Sequence, residues 1–167
     1  MKKLLIILGI VLIPFSGTAG KGVPKNQLMA ALSEFKRVEG VELVQLGPLA
    51  TSALKTVVRI SSSGDEDARQ ALALMKGVRR VTVFDYEDCD SKVKDRINRR
   101  LNKVLGNSEL LFEAKDGGDV TRIYGVSDSK GEVVRDFVLY TPGDCALICI
   151  FGKVSMKAVE KIIKDND

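Results

Sequence analysis

The feature that most constrains the fold is an uninterrupted apolar segment near the C-terminus, Cys145–Phe151. It is too short to cross a bilayer, which takes about 20 residues of helix. Gly143 precedes it within a Pro-Gly pair, and Gly152 follows it directly. A short apolar segment between such breakers is typical of a strand buried on both faces of a sheet. Ser155 then caps a predicted helix that runs to Ile163 and has one apolar side. The sequence therefore predicts a central strand covered by a terminal helix.

Three further strands, separated by short turns, are predicted in front of this central strand. They span Glu109–Lys115, Val120–Ser127 and Glu132–Tyr140. Together with the central strand they predict an antiparallel four-strand meander. A Gly-Gly pair, a Lys-Gly pair and a Pro-Gly pair supply the turns that such a meander needs.

The chain before the meander has mixed periodicity, which predicts helices alternating with one or two strands in the same sheet. A helix starts at Pro24 after a short tail, 21–23, and another runs from an Asp90 cap to Gly106. The remaining predicted elements are strands over 41–46 and 78–86, helices over 48–54 and 63–76, and a segment over 56–60 that is either a short strand or an extended approach. The whole predicts an α+β fold, with one sheet and the helices packed on one of its faces.

The first 20 residues have the pattern of a secretory signal peptide. Lys2 and Lys3 precede the apolar stretch Leu4–Ile13, and small residues follow at Ser16–Gly20. We expect residues 1–20 to be removed and residues 21–167 to form one exported domain, periplasmic or at the cell surface. No transmembrane span would remain after cleavage, and no cysteine stands near the cleavage region to carry a lipid anchor.

Composition argues against several function classes. The chain has no histidine, which is the commonest general base and a common metal ligand. No glycine-rich phosphate-binding motif occurs. The formal charge falls from +4 to +2 once Lys2 and Lys3 are left out, which argues against a nucleic-acid partner. We therefore expect no catalytic residues, no cofactor and no bound metal.

Three cysteines, Cys89, Cys145 and Cys149, leave the redox chemistry open. Cys145 and Cys149 stand about 13 Å apart on an extended strand, whereas a disulfide needs Cα atoms within about 7 Å. Either one could pair with Cys89 if the fold brings it there. The alternative is that all three are small buried apolar residues. A reactive Cys149 thiol would need a lowered pKa, which an apolar strand does not favour.

Two charged clusters are candidate sites. The acidic run Asp85–Asp90 could hold calcium, but a solvated strand end followed by a helix cap explains it better. The helix after Asp90 carries a basic face that could bind acidic glycans or anionic lipid headgroups. An exposed helix face is normally charged, so a plain solvated surface is the alternative. The predicted anionic-surface patch comprises Lys92, Arg96, Arg99, Arg100 and Lys103.

Three segments carry a resemblance to a known family. They are the entry from Phe35 to Val44, the strand pair from Arg122 to Leu139, and Leu147–Ser155 with its following helix. With the signal peptide, they resemble the exported Bacteroidota proteins of the domain of unknown function family 4252. Many members of that family look like lipoproteins, and this chain lacks their anchor cysteine. The resemblance implies a cell-envelope role and supplies no catalytic residues.

We therefore expect an exported cell-envelope protein that acts as a non-catalytic binding or interaction module. Its partner would be an envelope protein, a glycan or a lipid surface. One alternative is a thiol-redox or hydrolytic enzyme, and another is a regulatory sensor of envelope stress.

Overall fold

A computed structural model describes residues 21–51, 76–116 and 118–156. Within them the strands form a single antiparallel sheet of order β1-β2-β6-β5-β4-β3. The α+β class predicted from the sequence is confirmed. In chain order the elements are α1 (Lys25–Phe35), β1 (Glu42–Leu46), β2 (Gly77–Asp85), α2 (Ser91–Leu105), β3 (Leu110–Asp116), β4 (Asp119–Ser127), β5 (Val133–Thr141) and β6 (Ala146–Ser155).

The apolar segment that dominates the sequence forms most of β6, which lies inside the sheet between β2 and β5. Leu147 and Cys149 are fully buried on one face. Ile148 and Ile150, on the other face, are only half-buried. The predicted interior strand is therefore confirmed, but its two faces are not buried equally.

Some predicted elements cannot be compared with the structure. The segment over 56–60 and nearly all of the helix over 63–76 lie outside the described residues. A helix begins at Pro48, as predicted, and is described as far as Thr51. Another begins at Met156, and its remainder also lies outside the described residues.

The helices α1 and α2 pack on the same face of the sheet, as the pattern predicted. Each contributes an apolar stripe to one core that includes Phe84, Tyr140 and Leu147 from the sheet. Asp90 caps α2, because its Oδ1 accepts a hydrogen bond from the backbone N–H of Val93 at 2.9 Å. The stripes comprise Leu28, Ala31, Leu32 and Phe35 of α1, and Ile97, Leu101, Val104 and Leu105 of α2.

The opposite face of the sheet carries its own apolar row. Strand pairing places one residue from each strand side by side: Phe112, Ile123, Leu139, Ile148, Val83 and Val44. The members from β3, β4 and β5 are buried, whereas Val83 and Val44 at the other end are 36% and 52% exposed. Cross-strand contact between such neighbours stabilises a sheet directly.

Gly152 marks an irregularity where three strands meet. Its φ is +124°, and the register shifts beside it in both neighbouring pairings. Asp136, on β5, has a φ of 55°, and its Oδ1 accepts a hydrogen bond from the N–H of Gly152 at 3.2 Å. The same oxygen lies 2.9 Å from Nζ of Lys25, so this β-bulge also connects the sheet to the start of α1.

Candidate functional site

The side of α2 that faces away from the sheet carries most of the predicted basic patch. Because residues three and four apart are neighbours on a helix, Lys92, Arg96, Arg99 and Lys103 lie along one line. All four are exposed. Arg100 lies at the edge of this line and is partly buried. The structure thus brings the five predicted residues to one surface, but it gives them different neighbours.

Two of the five residues contact α1. The guanidinium of Arg96 lies 5.1 Å from the centre of the Phe35 ring, a cation–π geometry. Nε of Arg100 lies 3.2 Å from Oε2 of Glu34 and forms an ion pair with it. We infer that Arg96 and Arg100 mainly hold the two helices together and are not free to bind a partner.

The other three residues, Lys92, Arg99 and Lys103, are referred to as the basic ridge. In the described part of the chain, none of them has an ion-pair partner. At 1.5 Å per residue, the ridge extends for about 16 Å along the helix axis. Its positive charge is therefore presented to solvent, offset only in part by the exposed Asp95, which lies three residues from Lys92 and four from Arg99.

A cleft of about 320 Å³ lies at the C-terminal end of the ridge. Its lining includes two lysines, Lys103 and Lys21, and two amide residues, Gln27 and Asn107. The lining is completed by Gly22, Pro24 and Val104. Two lysines and two amide residues around one cleft give it positive charge and hydrogen-bond donors, which suits a carboxylate or phosphate group.

The position of Lys21 corrects the expected tail over residues 21–23. The backbone N–H of Glu109 donates a hydrogen bond to the Lys21 carbonyl at 2.9 Å, and the Val23 side chain is buried in the core. The segment is therefore fixed against the start of β3. Sequence reasoning missed Lys21, Gln27 and Asn107 because they belong to no motif and meet only through tertiary packing.

A buried polar cluster joins α2 to the sheet. The phenol oxygens of Tyr86 and Tyr140 donate hydrogen bonds to Oδ1 of Asn98 at 2.6 and 2.8 Å. Burial raises the pKa of Tyr140 to about 12, and burial together with the neighbouring Tyr140 raises the pKa of Tyr86 still further. Both phenols thus stay protonated at neutral pH, and the cluster acts as a structural connection.

All three thiols are free and buried. Burial is the main cause that raises the pKa of Cys89, of Cys145 and, most strongly, of Cys149. Because the thiolate is the nucleophile, these environments disfavour thiol catalysis at neutral pH. The expectation that Cys149 is an unreactive core residue is consistent with its complete burial.

This burial predicts that Cys149 reacts with an alkylating reagent only after the protein unfolds. Iodoacetamide near neutral pH should leave Cys149 unmodified in the native protein, because its side chain is inaccessible and its thiol protonated. Unfolding in urea should expose all three cysteines to rapid modification. Peptide mass spectrometry after a short exposure measures each site, and rapid native labelling of Cys149 would contradict the burial.

The acidic run serves the turn before α2. Oδ1 of Asp85 accepts a hydrogen bond from the backbone N–H of Glu87 at 2.9 Å, and Asp90 caps the helix. Across the described ranges, no group of three or more Cys, Asp or Glu side chains is placed to hold a metal ion. The same part of the chain has no helix with the length and apolar character required to span a membrane.

Comparison with protein-family models decides the family. The model described as a domain of unknown function, DUF4252, matches residues 35–162. The chain belongs to the DUF4252 family. Curated proteins and solved structures give no match. The resemblance seen in the sequence is thus confirmed, and the DUF4252 region contains the basic ridge but begins after Lys21 and Gln27 of the cleft.

Proposed function

We propose that this DUF4252 protein is an exported, non-catalytic binding module of the cell envelope, and that its basic ridge and cleft bind an acidic polysaccharide. One observation carries the proposal: the ridge ends at a cleft whose lining residues include Lys103, a second lysine, Lys21, and the amide residues Gln27 and Asn107. A line of separate cations suits a polymer with repeated carboxylates. The cleft, at about 320 Å³, is at the lower end of the size range of small-ligand pockets.

The apolar residues of α2 favour a glycan over a lipid surface. A helix that binds in a membrane interface needs large apolar side chains exposed beside its cations. On α2, the apolar residues Ile97, Leu101 and Leu105 are instead fully buried against the sheet. Contact through charge and hydrogen bonds alone is the mode expected for an acidic sugar polymer in water.

A non-catalytic role is supported by the chemistry of the side chains. The chain has no histidine. The raised pKa values of the three thiols leave little thiolate at neutral pH, which counts against the thiol-redox alternative. Export is supported by the signal-peptide pattern of residues 1–20 and by the exported proteins that the sequence resembles.

A triple charge reversal tests the binding proposal. Changing Lys92, Arg99 and Lys103 to Glu should weaken binding to polygalacturonate at least about tenfold at low salt, since three contacts of about 0.5 kcal/mol each give that factor. Binding of the unchanged protein should also weaken as salt is added, because exposed charges are screened. Isothermal titration calorimetry, with neutral dextran as the negative control, measures both effects.

A matched variant distinguishes the effect of losing the basic ridge from the effect of changing the net charge. Lys36, Lys130 and Arg135 are exposed and lie outside α2, and changing them to Glu alters the total charge equally. This second variant should retain most of the affinity. Equal loss in both variants, or no binding by the unchanged protein, contradicts the proposal. Retention on phosphatidylglycerol vesicles without polygalacturonate binding would assign the ridge to lipid headgroups instead.

A further inference from the structure

The fold brings two of the three cysteines to the same end of the sheet. The backbone N–H of Tyr86 donates a hydrogen bond to the Cys145 carbonyl at 3.0 Å, directly beyond the last β2–β6 pair, Asp85 and Ala146. A backbone hydrogen bond between two chain segments brings the Cα atoms of its residues to roughly 5–6 Å from each other. The N–H of Cys89 donates to the Tyr86 carbonyl at 3.2 Å and closes a turn, which keeps Cys89 within about 7 Å of Tyr86.

The two side chains share one environment. Cys89 and Cys145 belong to the same apolar core and retain 6% and 7% exposure. The pKa of the Cys145 thiol is raised mainly by burial and slightly by Cys89, and Lys94 lowers the pKa of both thiols. One lysine thus acts on both thiols, which agrees with their position at the same end of the sheet.

Neither sulfur is held by a strong contact. Sγ of Cys89 lies 3.4 Å from the Glu39 carbonyl oxygen, and Sγ of Cys145 lies 3.7 Å from that of Pro142. Thiols are weak donors, so rotation about χ1 to another staggered position loses little hydrogen-bond energy. Neither sulfur atom is therefore fixed in its rotamer by a strong hydrogen bond.

Cys149 lies too far along β6 to replace Cys145 as the partner of Cys89. It is paired with Thr82 and Val138 in the middle of the sheet, about 13 Å along the strand from Cys145, and it is fully buried. Of the two pairings that the sequence left open, the fold favours the one between Cys89 and Cys145.

We propose that Cys89 and Cys145 form a disulfide when the protein meets a small-molecule disulfide such as oxidised glutathione. The thiolate of one cysteine attacks a sulfur of the oxidant, which releases one glutathione thiolate and leaves a mixed disulfide. The second cysteine, after losing its proton, attacks the protein sulfur and displaces the other glutathione. The two protein thiols lose two electrons and two protons, and the oxidant becomes two molecules of glutathione.

The bond would join the start of α2 to the turn between β5 and β6, closing a loop that contains α2, β3, β4 and β5. Closing a loop of this length restricts the unfolded chain, so the oxidised protein should melt roughly 5–15 °C higher than the reduced one. Such a crosslink suits an oxidising compartment, where disulfides persist.

Refolding in a redox buffer tests the proposal despite the burial of both thiols. The full chain is unfolded in urea with dithiothreitol, then refolded in mixed oxidised and reduced glutathione, so that the oxidant reaches every cysteine. We expect one crosslinked peptide containing Cys89 and Cys145, one free thiol at Cys149, and a higher Tm that dithiothreitol reverses. Cys149→Ala should behave in the same way as the unchanged protein.

Single variants complete the test. Cys89→Ala and Cys145→Ala should each refold without an internal disulfide and should show equal Tm values with and without dithiothreitol. Three free thiols after refolding of the unchanged chain, or a crosslink that includes Cys149, would overturn the proposal. Both outcomes are read directly by mass spectrometry of the alkylated protein and do not depend on any binding activity.

Discussion

Gly152→Ala should lower the free energy of unfolding by at least about 3 kcal/mol. At a φ of +124° an alanine is strained, which alone costs about 1–3 kcal/mol. A methyl group there would also overlap the Gly77 carbonyl oxygen and crowd the backbone of Val78. Both obstacles are main-chain atoms of the adjacent strand, so β2 would have to move away from β6. Urea denaturation followed by circular dichroism measures the loss.

Alanine substitutions at two other glycines separate the cost of backbone strain from the cost of steric overlap. Gly118 has a φ of +102°, but a methyl group added there would meet no atom within 4 Å, so Gly118→Ala should cost only about 1–2 kcal/mol. Gly47 has neither a positive φ nor a close neighbour, and Gly47→Ala should change stability by less than about 0.5 kcal/mol. If Gly152→Ala costs no more than Gly118→Ala, the strand pairing tolerates the methyl group and the packing argument is wrong.

Asn98→Ala is expected to lower the free energy of unfolding by about 2–4 kcal/mol. The substitution removes the oxygen that accepts hydrogen bonds from both Tyr86 and Tyr140. One phenol can then donate to the other, but the second lacks an acceptor. An unsatisfied buried polar group costs about 1–3 kcal/mol, and the net loss of a hydrogen bond adds about 0.5–1.5 kcal/mol. Thermal and urea unfolding of the variant measure the effect.

A combined variant shows whether desolvation of the phenols is the cause. Replacing Asn98 with Leu and both tyrosines with Phe removes donors and acceptor together, and it should recover most of the stability that Asn98→Ala loses. Asn102 serves as a control on the same helix, since its side chain is exposed and bonds only Arg122 among the described residues. A loss below about 1 kcal/mol for Asn98→Ala would mean that water replaces the amide.

Much of the architecture follows from local patterns in the sequence. The β6 segment, the turns of the meander and the Asp90 cap each have a short-range physical cause, and the structure has them within a few residues of their predicted positions. The basic patch was found for the same reason, because helical spacing alone places Lys92, Arg99 and Lys103 on one side. The spacing of polar and apolar residues indicates which side of a helix or strand faces solvent.

The missed features all depend on which elements become neighbours. Asn98 is polar within an apolar helix face, and only the packing of α2 over Tyr86 and Tyr140 shows why. The cleft requires the segment at Lys21 to lie beside the end of α2. The choice between the two cysteine pairings that the sequence left open likewise depends on the pairing of β2 with β6. These are contacts between residues distant in sequence, which no single stretch of the chain encodes.

The strand order also affects when, during synthesis of the chain, the complete sheet can assemble. Because β6 sits between β2 and β5, it is, among the described strands, the one that joins the two-strand part of the sheet to the three-strand part. A chain that ends before Ala146 would leave β2 and β5 each with an unpaired edge. We therefore expect the complete sheet to form only after β6 has been synthesised.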